Sequence, residues 1–141
     1  QGRISGPLMD RIDIRIDVPA VSAADLIKPR PAEASADVAR RVAAARERQQ
    51  ERFRAAGAPH ISTNARCSTA LIEKIAEPDA GGLQLLRDAA EKLKFSARGY
   101  HRVLKVARTL ADLDGCDTVS RIHLAEAISY RMAGERLSAA A

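Results

Sequence analysis

An alternation of apolar and charged residues near the N-terminus is the first regular pattern in the chain. Every second residue from 12 to 18 is a branched apolar one, and the residues between them are charged: Ile12, Ile14, Ile16 and Val18 against Asp13, Arg15 and Asp17. A period of two predicts a β-strand with one buried face, which Pro19 ends. Because a single short strand is not stable alone and no second strand pattern follows, we expect its sheet partners to lie upstream in a longer protein.

From about residue 35 onward the apolar residues recur at helical spacing instead. Caps and glycines divide this region into about five predicted helices: from the Ser35 cap to about residue 56 before Gly57, a short one at about 66–76, one that opens near Asp79, one from the Ser96 cap to about Leu113 before Gly115, and one that starts at Thr118 or Ser120. The predicted fold is therefore mainly α, a helical bundle preceded by one orphan strand. Residues 20–34 are predicted to be a linker, and 134–141 a frayed tail.

Composition favours a helical core and adds a basic charge. Aromatic residues make up 3% of the chain and tryptophan is absent, so we expect a core of Ala, Leu, Ile and Val. The net charge is +5, and six arginines lie within residues 40–54 beside two glutamates. This charge is compatible with nucleic-acid binding, but arginine-rich helix faces are also typical of an ordinary solvated surface.

Neither a metal site nor a membrane segment is indicated. Cys67 and Cys116 and the three histidines are scattered without the spacing of metal ligands, so we expect free thiols in a reducing cytosol. No apolar run approaches the roughly 20 residues of a membrane helix. The sequence therefore predicts a cytoplasmic protein without a membrane partner.

One arginine near the start of the chain suggests phosphate chemistry. Arg11 lies between Asp10 and Asp13 at the entry to the predicted strand, and a guanidinium binds phosphate oxygens in a bidentate fork. Neither a glycine-rich loop with lysine nor an acidic cluster for a metal accompanies it. We therefore expect this chain to be one part of a larger machine.

The predicted helix from Ser96 to Leu113 carries a second set of cations. Its apolar residues gather on one side, and almost opposite, at helical spacing, lie Arg98, Arg102, Lys105 and Thr109. Arg98 lies in the first turn, where the helix dipole disfavours a cation, and this favours a functional role. A solvated basic stripe explains the same spacing, so both interpretations stay open.

Two long motifs in this order resemble one known family. Ser5-Gly6-Pro7-Leu8-Met9-Asp10-Arg11-Ile12-Asp13 and the whole of Ser96–Leu113 resemble the C-terminal portion of the magnesium-chelatase-like AAA+ ATPases, in particular their bacterial competence-type branch, whose members are linked to DNA processing. Residues 119–131 fit the closing helix of the family's lid domain. The resemblance implies that 1–19 is the end of the AAA+ core, 20–34 the linker and 35–133 the helical lid.

The resemblance also implies roles for three arginines. Arg11 matches the arginine finger, which reaches into the nucleotide site of a neighbouring subunit, and Arg98 matches the sensor-2 arginine of the lid. Arg102, one turn further on, is the second choice for the lid contact. ATP and Mg²⁺ are then cofactors of the intact parent protein, and this chain alone is expected to bind none and to be inactive. The implied partners are other subunits of a hexameric ring, and DNA.

Three functions remain as alternatives at this point. The first is the lid and finger portion of a ring ATPase that couples hydrolysis to remodelling, of DNA or in metal insertion, with DNA favoured by the resemblance alone. The second is a stand-alone basic helical module that binds nucleic acid, although a recognition-helix pattern and stacking aromatics are lacking. The third is an interaction module whose charges are only solvated.

Overall fold

The computed structural model describes residues 8, 10–20, 27 and 33–132, and in these it is mainly helical. Residues 33–132 form five α-helices, with one short 3₁₀ helix, Asn64–Arg66, between the first two: α1 Ser35–Ala55, α2 Thr69–Ile75, α3 Ala80–Lys92, α4 Ala97–Leu113 and α5 Arg121–Met132. The prediction of a bundle of about five helices is confirmed. The predicted tail and most of the predicted linker lie outside the described residues, so the predicted domain bounds stay predictions.

The ends of the helices follow from capping chemistry. The side chains of Asp79 and Ser96 accept the backbone N–H groups of Gly82 and Gly99 at 2.6 and 3.0 Å, as predicted. After α4 the chain turns at Gly115 with φ +73°, a left-handed conformation that glycine adopts without steric cost. The predicted Ser35 cap is wrong, because the position before α1 is Ala34, whose side chain has no oxygen to accept a hydrogen bond.

Helix α4 lies at the centre of the bundle. It packs against α1, α2, α5 and the 3₁₀ helix, while α5 also packs on α3. One phenylalanine and otherwise aliphatic side chains fill the core between them: Phe53, Ile72, Leu86, Val103, Leu104, Ala107, Ala111, Leu124 and Ile128. Along α1 the apolar side chains are buried only from Ala45 onward, because Val38 and Val42 near its start are exposed.

The predicted orphan strand at 12–18 is not formed in the described part of the chain, and this prediction is wrong there. The branched side chains that should cover a sheet are exposed, from 36% at Ile12 to 82% at Val18. Residues 14–20 have no regular secondary structure. A strand needs the backbone of a neighbouring strand for its hydrogen bonds, and the described residues offer this segment only one such bond, from Arg15 N to the carbonyl oxygen of Tyr130 at 3.0 Å.

Candidate functional site

Residues 10–15, the Arg11 segment, lie against the N-terminal end of α4. Asp10 and Asp13, on either side of Arg11, contact side chains of α4 and α5, and Arg98 and Arg102 lie on the first two turns of the same helix end. The structure therefore brings the Arg11 segment to the end of the bundle where Arg98 and Arg102 lie.

Asp10 is held by a serine that also caps the helix. Ser96 Oγ donates to Asp10 Oδ2 at 2.7 Å and accepts the N–H of Gly99 at 3.0 Å, and Arg131 at the end of α5 donates to Asp10 Oδ1. The hydrogen bond from Ser96 lowers the pKa of Asp10, as do the charges of Arg131 and Arg98, while partial burial acts in the opposite direction. Asp10 is therefore a carboxylate at neutral pH.

Arg131 is a functional candidate that the sequence analysis missed. Its side chain is almost buried, and its guanidinium carbon lies 5.5 Å from the centre of the Phe95 ring, within the range of a cation–π contact. It also lies on the α-carbon of Gly99, where an added Cβ would come within 2.7 Å of Arg131 Nη2. A glycine inside a helix costs about 1 kcal/mol relative to alanine, so Gly99 was the available signal of a close approach.

Arg102 contacts the segment that carries Arg11. Its guanidinium forms an ion pair with Asp13, and its side chain is 29% exposed. Arg98, one turn earlier, is exposed and makes no ion pair with the described residues. Arg98 therefore presents the more accessible cation at this end of α4, and Arg102 is committed to an internal contact.

The remaining polar residues of the same helix face have structural roles. Lys105 Nζ donates to the carbonyl oxygens of Ala65 and Cys67 at 2.9 and 2.8 Å, and Thr109 Oγ1 accepts from Asn64 Nδ2 at 3.0 Å. These bonds attach the 3₁₀ segment to α4. The stripe of Arg102, Lys105 and Thr109 is therefore not a solvated face.

A second polar network lies at the other end of α4, inside the bundle. Arg108 is 1% exposed, and its Nε donates to Asp112 Oδ1 at 3.1 Å. The same carboxylate accepts from Asn64 Nδ2 at 2.9 Å and from Arg52 of α1. Burial lowers the pKa of Arg108, whereas the charge of Asp112 opposes this effect. Arg52, one of the six arginines at 40–54, thus has a structural role inside the bundle.

The other arginines of that stretch lie near the surface. Arg40 and Arg41 pair with Asp37 and Glu33 at exposed positions. Exposed pairs of this kind contribute little to stability. These side chains remain accessible to a partner outside the chain.

Neither a metal cluster nor a membrane helix is found in the part of the chain that the structure describes. Groups of three or more histidine, cysteine or acidic side chains in reach of one ion do not occur there, and none of its helices is both long and apolar enough to cross a bilayer. Cys67 is buried, which raises the pKa of its thiol, and Cys116 is exposed.

Comparison with known proteins places this arrangement in a family. The family described as magnesium chelatase, subunit ChlI C-terminal, matches residues 32–131. Competence protein ComM of Haemophilus influenzae is 40% identical over 130 residues, and the uncharacterized protein YifB of Escherichia coli is 38% identical over the same length, each match covering 92% of this chain and 24% of the relative. The uncharacterized protein Rv2897c of Mycobacterium tuberculosis is 38% identical over 141 residues, with 96% of this chain and 26% of the relative covered.

The chain spans about a quarter of the length of the curated relatives it matches. The family match covers all five helices described above except the final residue of α5. The resemblance proposed from the two sequence motifs is confirmed at the level of the family. The chain belongs to the magnesium chelatase subunit ChlI C-terminal family.

Proposed function

We propose that this chain is the lid and arginine-finger portion of a ring-forming magnesium-chelatase-like ATPase. In this proposal Arg11 enters the nucleotide site of a neighbouring subunit, and Arg98 contacts the phosphates of a nucleotide from the lid. ATP and Mg²⁺ are bound mainly by parts of the protein outside this chain. The observation that carries the proposal is the position of the Arg11 segment beside the accessible Arg98 at one end of α4.

The chemistry of phosphoryl transfer supports these roles. Its transition state spreads negative charge over the transferring phosphoryl group, and catalysis depends on fixed positive charge around it. A guanidinium stays protonated and offers several donors to phosphate oxygens. Arg98 is the better lid candidate because Arg102 is already neutralised by Asp13.

Mixed rings of the full-length protein test the role of Arg11. One subunit type carries Arg11→Ala and the other carries a disabled lysine in its phosphate-binding loop, so that each type alone lacks one half of the site. Arg11→Ala alone is expected to lower kcat for ATP hydrolysis by about a thousandfold, as for other arginine fingers, and mixing is expected to restore turnover. Full activity of Arg11→Ala alone would contradict the proposal.

The role of Arg98 has a matched control within the lid. Arg98→Ala is expected to lower kcat/KM for ATP by at least about tenfold, the loss of roughly 1.4 kcal/mol of transition-state binding. Arg121 also lies exposed in the first turn of its helix, α5, so Arg121→Ala should leave turnover unchanged. Equal losses in the two variants would show a general effect of surface charge and would count against Arg98.

DNA is the substrate we propose for the motor, and the surface of α1 is the candidate contact. Arg40 and Arg41 lie exposed near its start, and arginines that meet phosphates make binding strongly dependent on salt. Stimulation of the full-length ATPase by DNA should fall in the Arg40→Ala/Arg41→Ala variant while the unstimulated rate is kept. If DNA does not stimulate turnover at any salt concentration, this part of the proposal fails and the ATPase part stands.

A further inference from the structure

We propose that Asp10 and Asp13 are positioning residues that clamp the Arg11 segment to the lid of its own subunit, so that Arg11 moves with α4 and α5 as one unit. The inference rests on the proposed function of Arg11 and deepens it. In this inference Asp10 and Asp13 fix the position of the backbone that carries Arg11.

The clamp has two separate side-chain anchors and one backbone anchor within six residues. Asp10 is bound by Ser96 and Arg131, and Asp13 by Arg102. The N–H of Arg15 donates to the carbonyl oxygen of Tyr130 at 3.0 Å. Because the anchors lie before and after Arg11 and reach both α4 and α5, they fix the position and the direction of the backbone that carries it.

The side chain of Arg131, which binds Asp10, is held in place by its neighbours in the bundle. The guanidinium of Arg131 is confined by the ring of Phe95 on one side and by the α-carbon of Gly99 on another, and its side chain is only 10% exposed. A guanidinium binds a carboxylate through charge-assisted hydrogen bonds, and among the described residues Asp10 supplies that carboxylate from a position 121 residues away. Arg131 is therefore held in position to bind Asp10 of the Arg11 segment.

The clamp would join two functions at one helix end. Ser96 caps α4, and Arg98 and Arg102 lie on its first two turns, so the helix end that presents Arg98 to a nucleotide also holds Asp10 and Asp13. A shift of α4 in response to one nucleotide would then move the finger that serves another. Such coupling requires an element that both sites contact, and the N-terminal end of α4 meets this requirement.

Hydrogen exchange on this chain tests whether the clamp holds the segment. The backbone amide of Arg15 reports docking because its acceptor, Tyr130, lies on α5. We expect Asp10→Asn/Asp13→Asn to lower protection of this amide at least about tenfold. The control is Asp17→Asn, since Asp17 lies in the same segment, is exposed and makes no ion pair with the described residues. Unchanged protection in the double variant would overturn the inference.

Mixed rings of the full-length protein test whether the clamp acts through Arg11. In the first mixture Asp10→Asn/Asp13→Asn is added to the subunit with the disabled phosphate-binding lysine, which supplies the finger to its Arg11→Ala neighbour. We expect turnover to fall by about ten- to a hundredfold, the cost of misplacing a catalytic group. In the second mixture the same pair is added to the Arg11→Ala subunit, whose finger is already absent, and turnover should fall clearly less than in the first mixture.

The two mixtures separate positioning from a general defect of the lid. Equal losses in both would show that the aspartates stabilise the lid without aiming Arg11, and would overturn the inference. No loss in either mixture would overturn it as well. If the starting mixture, without any aspartate change, does not recover turnover, the proposed function of Arg11 itself fails, and that result is distinct from the first two.

Discussion

Two polar networks lie at opposite ends of α4. Both contain a carboxylate paired with arginine, but the two carboxylates differ in how far they are buried. At the C-terminal end the carboxylate of Asp112 is fully buried among two arginines and an asparagine, all within the bundle. At the N-terminal end the carboxylate of Asp10 is 26% exposed and binds Arg131 from a segment outside the bundle. The first network connects helices to one another, and the second connects the bundle to the segment of Arg11.

The difference in burial indicates a difference in how easily each network opens. Removing one partner from a buried ion pair leaves an uncompensated charge in a medium of low dielectric constant, so such a pair opens only with the fold. A partly exposed pair exchanges its partner for water at modest cost. We infer that the Asp112 network is permanent, whereas the Asp10 network can close and open while the bundle stays folded.

The largest expected effect comes from Asp112→Ala. The change leaves Arg108, which is 1% exposed, without its carboxylate, and we expect a loss of about 3–5 kcal/mol in the free energy of unfolding. Urea denaturation of the chain followed by circular dichroism measures it. Asp117→Ala is the control, because that carboxylate is fully exposed and its loss should cost less than about 0.5 kcal/mol. A similar small loss in both variants would show that Arg108 finds another partner.

Gly99→Ala should break the other network and leave the bundle folded. Its Cβ would lie 2.7 Å from Arg131 Nη2 and displace the guanidinium from Asp10, while alanine gains about 1 kcal/mol of helix propensity over glycine. The free energy of unfolding should therefore change by less than about 1 kcal/mol, and the amide of Arg15 should lose its protection. Gly81→Ala is the control, since nothing lies closer than 3.8 Å to its Cβ. Retained protection in Gly99→Ala would show that Arg131 is not needed for docking.

The sequence predicted the helices well because their signals are local. Ser96, Asp79 and Gly115 mark helix ends through bonds that span three to five residues, and each lies where it was predicted. The strand at 12–18 was predicted from an equally local alternation, but a strand also requires a neighbour. The described residues contain no neighbouring strand. The alternation therefore shows that residues 12–18 favour a strand, although they do not form one in this structure.

The candidate site was less predictable because its contacts join distant residues. Arg98 and Arg102 lie on one face of α4, and spacing alone ranks neither above the other. The partner of Arg102 is Asp13, 89 residues away, and in the structure this contact distinguishes the two arginines. Arg131 was missed for the same reason, since its anion is contributed by Asp10 near the other end of the chain.

Acid should open the Asp10 network before the bundle unfolds. The hydrogen bond from Ser96 and the charges of Arg131 and Arg98 hold the pKa of Asp10 below its ordinary value of 3.8. Because the folded value is depressed, the stabilisation is complete above the ordinary value and is lost as the pH falls through the lowered one. The protection of the Arg15 amide should fall in that range below pH 3.8. In Asp10→Asn this protection should already be lower at neutral pH and should lose this pH dependence. A pH-independent amide in the unaltered chain would contradict this prediction.

The smallest expected effect concerns the turn before α4, where the two ends of the helix differ once more. The turn after α4 uses Gly115 at φ +73°, but the turn before it uses Lys94 at φ +48°, and a non-glycine residue in the left-handed region costs about 1 kcal/mol or more. Lys94→Gly should therefore raise the free energy of unfolding, by about 0.5–1 kcal/mol after the entropy of glycine in the unfolded chain is counted. Gly57→Ala, at φ +73° with no neighbour within 4 Å, should lower it by a similar amount in the same denaturation experiment.

The same variant sharpens the comparison if docking is measured beside stability. Phe95 and Ser96 follow Lys94 directly, and they contact Arg131 and Asp10. Strain that is kept at a functional site serves the local geometry at the expense of global stability. If Lys94→Gly gains stability but lowers protection of the Arg15 amide, the strained turn positions these two contacts for the Arg11 segment. If the free energy of unfolding and the protection of the Arg15 amide rise together, the strain at Lys94 has no role in docking. The clamp then depends on its ion pairs alone.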